Sequence, residues 1–167
     1  VWSDPKPDGT PPNNWLSIFG GSAWQWDPRR EQYFLHNFLT SQPDLNFHNA
    51  AVQSALLDVT RFWLDRGVDG FRLDTINFYF ADKQLRDNPA LAVDQRNATI
   101  APQVNPYNHQ DHVHSKNQPE NIHFLEKFRA VLDEYPGSTC VGEVGDAQRG
   151  LEILGEYTAG NNRVHMC

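Results

Sequence analysis

Val68-Asp69-Gly70-Phe71-Arg72-Leu73-Asp74 decides how this chain folds: it is a short, mostly apolar run between a helical pattern and a long polar stretch. Read as a β-strand, it turns Gly70, Arg72 and Asp74 to one face and brings Asp74 to its C-terminal end. Upstream, Asn49 caps a pattern in which Val52, Leu56, Val59 and Trp63 recur at helical spacing until Gly67 stops it. Downstream, residues 77–118 are polar and rich in Asn and His, with a short helix expected near 81–86. A loop of that length is usually functional. A second amphipathic helix is expected over about 119–134, with Ile122, Leu125, Phe128 and Leu132 on one face and Pro136-Gly137 as its stop. Thr139-Cys140-Val141-Gly142-Glu143 reads as the next strand, 148–157 as a third, shorter helix, and 163–167 as the opening of a third strand. Helices alternate with strands, so the fold class is α/β, with parallel strands joined by right-handed crossovers. Three strands at most cannot close a barrel of eight.

Asp74 and Glu143 each end an expected strand, and the helix between them makes those strands candidates for neighbours in one sheet. Neighbouring strands lie ~4.8 Å apart. That is close to the ~5 to 5.5 Å between the carboxyl groups of retaining glycosidases, and short of the wider gap that inverting enzymes need for a water. Arg72, on the same strand face as Asp74, supplies a positive charge that keeps Asp74 ionised. Glu143 is expected to be partly buried and repelled by Asp74, which would raise its pKa and fit it to protonate a leaving oxygen. Spacing alone leaves an equal alternative open: an Arg72–Asp74 structural ion pair and a solvated Glu143 at a strand end.

The rest of the chain narrows the classes of partner. Its 167 residues, 39% apolar, suit one domain or a large part of one, and 21 acidic against 14 basic side chains give a formal charge of −7. That balance argues against nucleic acid or an anionic membrane surface, both of which need clustered Lys and Arg. Cys140 and Cys167 form neither a disulfide framework nor a Cys-type zinc site, which points to a reducing compartment and a cytoplasmic location. Neither a membrane span nor a signal peptide is evident, although the chain lacks an initiator Met and reads as beginning in mid-sequence. Asn97-Ala98-Thr99 matches a glycosylation sequon, a triplet common by chance. Residues 1–48 are rich in Pro, Gly, Asn and Trp, with one short hairpin expected within 24–38. The tryptophans are expected to be structural, since large aromatics are usually buried. Among seven histidines, only His109, His112 and His114 cluster; they lie on a loop without an i, i+4 pair and are expected at the surface. No metal and no cofactor is expected.

Gly70-Phe71-Arg72-Leu73-Asp74 resembles the strand-four signature of glycoside hydrolase family 13, Val141-Gly142-Glu143 its strand-five signature, and Gln42-Pro43-Asp44-Leu45-Asn46 the motif near the end of its domain B. Asn13-Asn14-Trp15-Leu16-Ser17-Ile18-Phe19-Gly20-Gly21-Ser22-Ala23-Trp24 and Asp74-Thr75-Ile76-Asn77 resemble the α-glucosidase and oligo-1,6-glucosidase branch. This resemblance implies a partial (β/α)8 TIM barrel, about strands four to six, over residues 49–167, after the later part of an inserted domain B over 1–48. It also implies Asp74 as nucleophile, Glu143 as acid and then base, and Arg72 as the residue that orients the nucleophile. Phe19 and Phe38 fall where that branch places aromatic rings against the sugar; their alternative is core packing. Thr75 occupies a position that the branch links to linkage preference, favouring α-1,4 over α-1,6 bonds in small α-glucosides such as maltose. Asn77 is expected either to hydrogen-bond sugar or to cap the following turn. Asp44 alone gives no ground for a calcium site.

The strand-three Asn-His motif and the strand-seven His-Asp motif with the third carboxylate are absent, so the chain is expected to be an internal fragment that neither folds stably nor turns over substrate by itself. The expected function is that of a retaining α-glucosidase that also transfers glucose. The alternatives are a catalytically silent relative serving as a binding and trafficking module, and a sucrose-acting or isomerising member. Retention of Arg72, Asp74 and Glu143 together favours an active enzyme.

Overall fold

The computed structural model describes residues 1–96, 101, 102 and 104–167; the Asn97-Ala98-Thr99 sequon lies outside them. The chain divides into two compact units: Val1–Asn46 with Ala81–Gln118, and Phe47–Phe80 with Pro119–Cys167. The first break is two residues from the expected boundary after residue 48, but residues 81–118, expected with the barrel part, group with the first unit.

In the first unit, β1 (Trp2–Ser3), β2 (Trp24–Asp27) and β3 (Gln32–Leu35) form an antiparallel sheet in the order β1-β3-β2. The β2–β3 pair is the expected hairpin. Trp15, Ala23, Trp24 and Leu35 make the core of this unit. Both buried indoles find acceptors, Trp15 at the Arg86 carbonyl (2.8 Å) and Trp24 at Asn13 Oδ1 (2.7 Å), as a buried N–H must. Trp2, Trp26 and Trp63 are exposed, so the structural reading fits two of the five. Asp44 is half-buried, accepts the main-chain N–H of Asn37 (2.7 Å) and its Nδ2 (2.9 Å) through Oδ2, and so pins the stretch after β3.

The short helix expected near 81–86 is not formed. Asp82, itself buried, takes the N–H groups of Gln84 (3.3 Å) and Arg86 (3.1 Å) with its carboxylate, and Arg86 returns its guanidinium to the same group at 2.8 and 3.1 Å. This side chain competes with a helix for the backbone donors and wins. Nor do the clustered histidines all lie at the surface. His112 is buried, stacked on Tyr107 (3.7 Å), with Nε2 against the Tyr107 carbonyl (2.8 Å) and Nδ1 against Ser115 Oγ (3.1 Å). Both ring nitrogens are thus occupied by protein groups, as burial of an imidazole requires. Among the described residues, no three His, Cys, Asp or Glu side chains converge as a metal-binding group, and no helix is long and apolar enough to cross a membrane.

The second unit carries α1 (Ala50–Leu64), β4 (Gly70–Leu73), α2 (Glu120–Asp133), β5 (Thr139–Gly142) and α3 (Gly150–Thr158). Asn49 caps α1 by accepting the Ala51 N–H (2.9 Å), and Gly67, at φ +84°, lets the chain turn out of it. The stripe of α1 that packs inward runs through Leu57, Thr60 and Leu64, whereas Val59 and Trp63, expected on the core face, are exposed. The helix has apolar residues on more than one side, so periodicity alone does not choose between them. α2 behaves as expected, burying Leu125, Phe128 and Leu132.

β4 and β5 are parallel neighbours, with Gly70 opposite Thr139, Phe71 opposite Cys140, Arg72 opposite Val141 and Leu73 opposite Gly142. Met166 makes an isolated parallel bridge to Val141 on the other side, within the stretch expected to open a third strand, which is not formed as a strand in the described residues. A Cβ at Gly70 would lie 2.2 Å from the Thr139 carbonyl oxygen, a backbone atom that cannot step aside.

Two stability measurements test this account in the full-length protein carrying the chain. Gly70→Ala should lower the urea midpoint by an amount worth about 1 to 3 kcal/mol, and an unchanged midpoint would mean that the strands separate freely. Arg86 holds the Asp82 carboxyl down to about 2. A depressed folded pKa stabilises above the unfolded value, ~3.9, and the contribution is lost as pH falls through the folded one. Asp82→Asn should therefore be less stable than the parent at pH 7, with the difference shrinking as unfolding is followed from about pH 4 towards 2.

Candidate active site

The parallel register carries past the last paired residues. The Glu143 N–H donates to the Leu73 carbonyl (2.9 Å) and the Ile76 N–H to the Glu143 carbonyl (2.9 Å), so the chain leaves β4 and β5 side by side. Asp74 and Glu143 are the first residues beyond those strands, and the alternation that turned Arg72 outward turns Asp74 with it.

One guanidinium joins them. Arg72 donates through Nη1 to Asp74 Oδ1 and through Nη2 to Glu143 Oε2, each at 2.7 Å. Two charge-assisted bonds from one rigid fork fix both carboxylates in a common plane of reference. All three side chains are largely open to solvent, so screening keeps the energetic worth of the pair small, and its value is geometric. The Arg72 guanidinium first, and a side-chain hydrogen bond with Glu143 second, hold the Asp74 carboxyl below its ordinary range. The partial burial expected of Glu143 is not found: its side chain is 46% exposed and bonded to the arginine expected to serve Asp74 alone.

The turn after Asp74 is strained. Thr75 has φ 41° and ψ 50°, the left-handed conformation that β-branched residues avoid. It begins a 3-10 turn over Ile76–Phe78 and aims the Thr75 N–H at Glu143 Oε2 (3.4 Å). The structure places Asn77 inside the fold. Its side chain is buried, with Nδ2 donating to the Gly145 carbonyl (3.1 Å) and Oδ1 accepting the Gly145 N–H (3.0 Å). Phe19 and Phe38 meet edge to face in the first unit, ring centroids 6.0 Å apart, with Phe19 exposed and Phe38 half-buried. Core packing therefore does not account for Phe19.

Asn121 escaped the sequence reading. It is buried on α2 and donates Nδ2 to the Ile76 carbonyl (2.8 Å), bracing the turn from below. The signal was present: Asn121 lies four and seven residues before Leu125 and Phe128, a polar side chain on the stripe that faces the core.

The family model described as alpha amylase, catalytic domain, matches residues 1–165. The chain is 74% identical over 167 residues to a probable alpha-glucosidase of Rhizobium meliloti (strain 1021), covering all of this chain and 30% of that protein. It is 57% identical over 163 residues to an oligo-1,6-glucosidase of Heyndrickxia coagulans, 94% of this chain and 26% of that one. Among solved structures, an alpha-glucosyl transfer enzyme superposes with a TM-score of 0.95 at 61% identity, over 99% of this chain and 31% of that one. The chain thus spans under a third of the length of these relatives.

Arg72→Gln should move the Asp74 titration upward, because the first cause of its depression is removed. Carboxyl-carbon NMR of the selectively labelled full-length protein reads this directly. An unmoved titration would place the control of Asp74 in another group.

Proposed function

Since the chain belongs to the alpha-amylase catalytic-domain family, we propose that the full-length protein carrying it is a retaining α-glucosidase that removes terminal glucose from short α-glucosides such as maltose. One observation carries the reading: two carboxylates stand at the C-terminal ends of adjacent parallel strands and are bonded to the same guanidinium. In this reading β4, β5 and the stretch bridged at Met166 take the places of strands four to six of a (β/α)8 barrel, whose reactive rim is the C-terminal one.

Asp74, kept ionised by Arg72, attacks the anomeric carbon while Glu143 gives its proton to the glycosidic oxygen. The carbon–oxygen bond breaks and a glucosyl ester forms on Asp74. Glu143, now a carboxylate, takes a proton from water; the water oxygen attacks the same carbon, frees Asp74 and releases glucose with its original α configuration. Phe19 and Phe38 would supply apolar contact to the sugar, and Thr75 beside the nucleophile would set the room for the next sugar, favouring α-1,4 links. A second reading, transfer of the glucosyl group to another sugar hydroxyl in place of water, is favoured by the 61% identity to an alpha-glucosyl transfer enzyme.

Incubation of the full-length protein with a fluorinated glucosyl fluoride, followed by peptide mass analysis, should find the label on Asp74. A label on any other residue would overturn the nucleophile assignment.

A further inference from the structure

Asn77 is 1% exposed, and both ends of its amide are committed to the main chain of one residue, Gly145. A side-chain amide used this way imitates one more rung of a β-ladder, at a level where β4 and β5 have already ended. It completes a series. The Thr75 N–H reaches the Glu143 carboxylate, the Ile76 N–H reaches the Glu143 carbonyl, and Asn77 takes Gly145 two residues further on. Asn121 holds the Ile76 carbonyl from α2, so the segment that reaches across is itself anchored. A Cβ added at Gly145 would meet Phe78 at 3.6 Å, ordinary contact. Val144 packs on the core beside it, and the two hydrogen bonds with Asn77 hold the main chain of Gly145 itself.

From this geometry we infer that Asn77 is a positioning residue for Glu143: it clamps the loop leaving β5 so that the carboxylate stays beside Asp74 on the shared guanidinium. The inference rests on Glu143 being the acid/base, as proposed above. A misplaced acid penalises leaving groups that must be protonated and spares those that depart unaided. A sugar alkoxide is of the first kind and fluoride of the second.

The test compares kcat/KM on maltose and on α-glucosyl fluoride for the full-length protein and its Asn77→Ala, Asn77→Asp and Glu143→Ala variants. Asn77→Asp keeps the shape and the acceptor oxygen, and so answers where Asn77→Ala does not fold. The Asn77 variants should lose about ten- to a hundredfold on maltose and less than about threefold on the fluoride, with a wider split for Glu143→Ala. An equal loss on both substrates, or none, with the split present in Glu143→Ala, overturns the role of Asn77 alone. No split in Glu143→Ala overturns the acid/base reading and this inference with it. In the unaltered protein, the Gly145 amide should exchange slowly with solvent; rapid exchange would also count against the clamp.

Discussion

The register of β4 against β5 is held by close approaches along its length, and the geometry beyond depends on it. Gly70 lies so near the Thr139 carbonyl that a Cβ would be 2.2 Å away, and Gly142 so near Ile76 that a Cβ would be 2.4 Å from its Cδ1. Side chains alternate in a strand, so a slip of one residue would send Glu143 to the opposite face from Asp74 and leave Arg72 one acceptor instead of two. Backbone bonds alone do not forbid the slip. The contacts that continue the pairing past Leu73 and Gly142 add to them, and the close approach at Gly70 admits no side chain there.

Within that frame, charge is arranged economically. One cation serves two carboxyl groups, in a chain that is itself acidic. Both carboxyl groups are oriented in advance by the same rigid fork. Arg72 could not be replaced by Lys on these terms, because a single ammonium has no planar fork to offer two acceptors.

Much of this was legible before the structure. The alternation of helix and strand, the Asn49 cap, the inward stripe of α2 and the two strand-end carboxylates all follow from local pattern, since each depends on residues close in sequence. What could not be read depended on tertiary partners. Periodicity did not say which apolar stripe of α1 faces inward, because both are apolar. Composition did not say that Asp82 would use up the donors of an incipient helix, or that His112 would find Ser115 and a carbonyl and go inside. At the site, the residue types were legible, but the sharing of Arg72 and the turning of Asn77 away from solvent were not, because both involve residues about seventy positions away.

The left-handed backbone of Thr75 has a bearing on how this enzyme family can vary. A β-branched residue in that conformation carries strain of about 1 to 3 kcal/mol, which the bonds from Ile76 and Asn77 to the next strand must hold in place. Exchanging one β-branched residue for another at 75 alters the shape and polarity offered to a ligand while leaving the strain unchanged. Glycine or asparagine would instead relax the turn and loosen the amide aimed at Glu143. Position 75 is therefore a dial with few settings: substitutions that change its side chain without disturbing the turn are confined to residues equally ill-suited to the backbone they occupy.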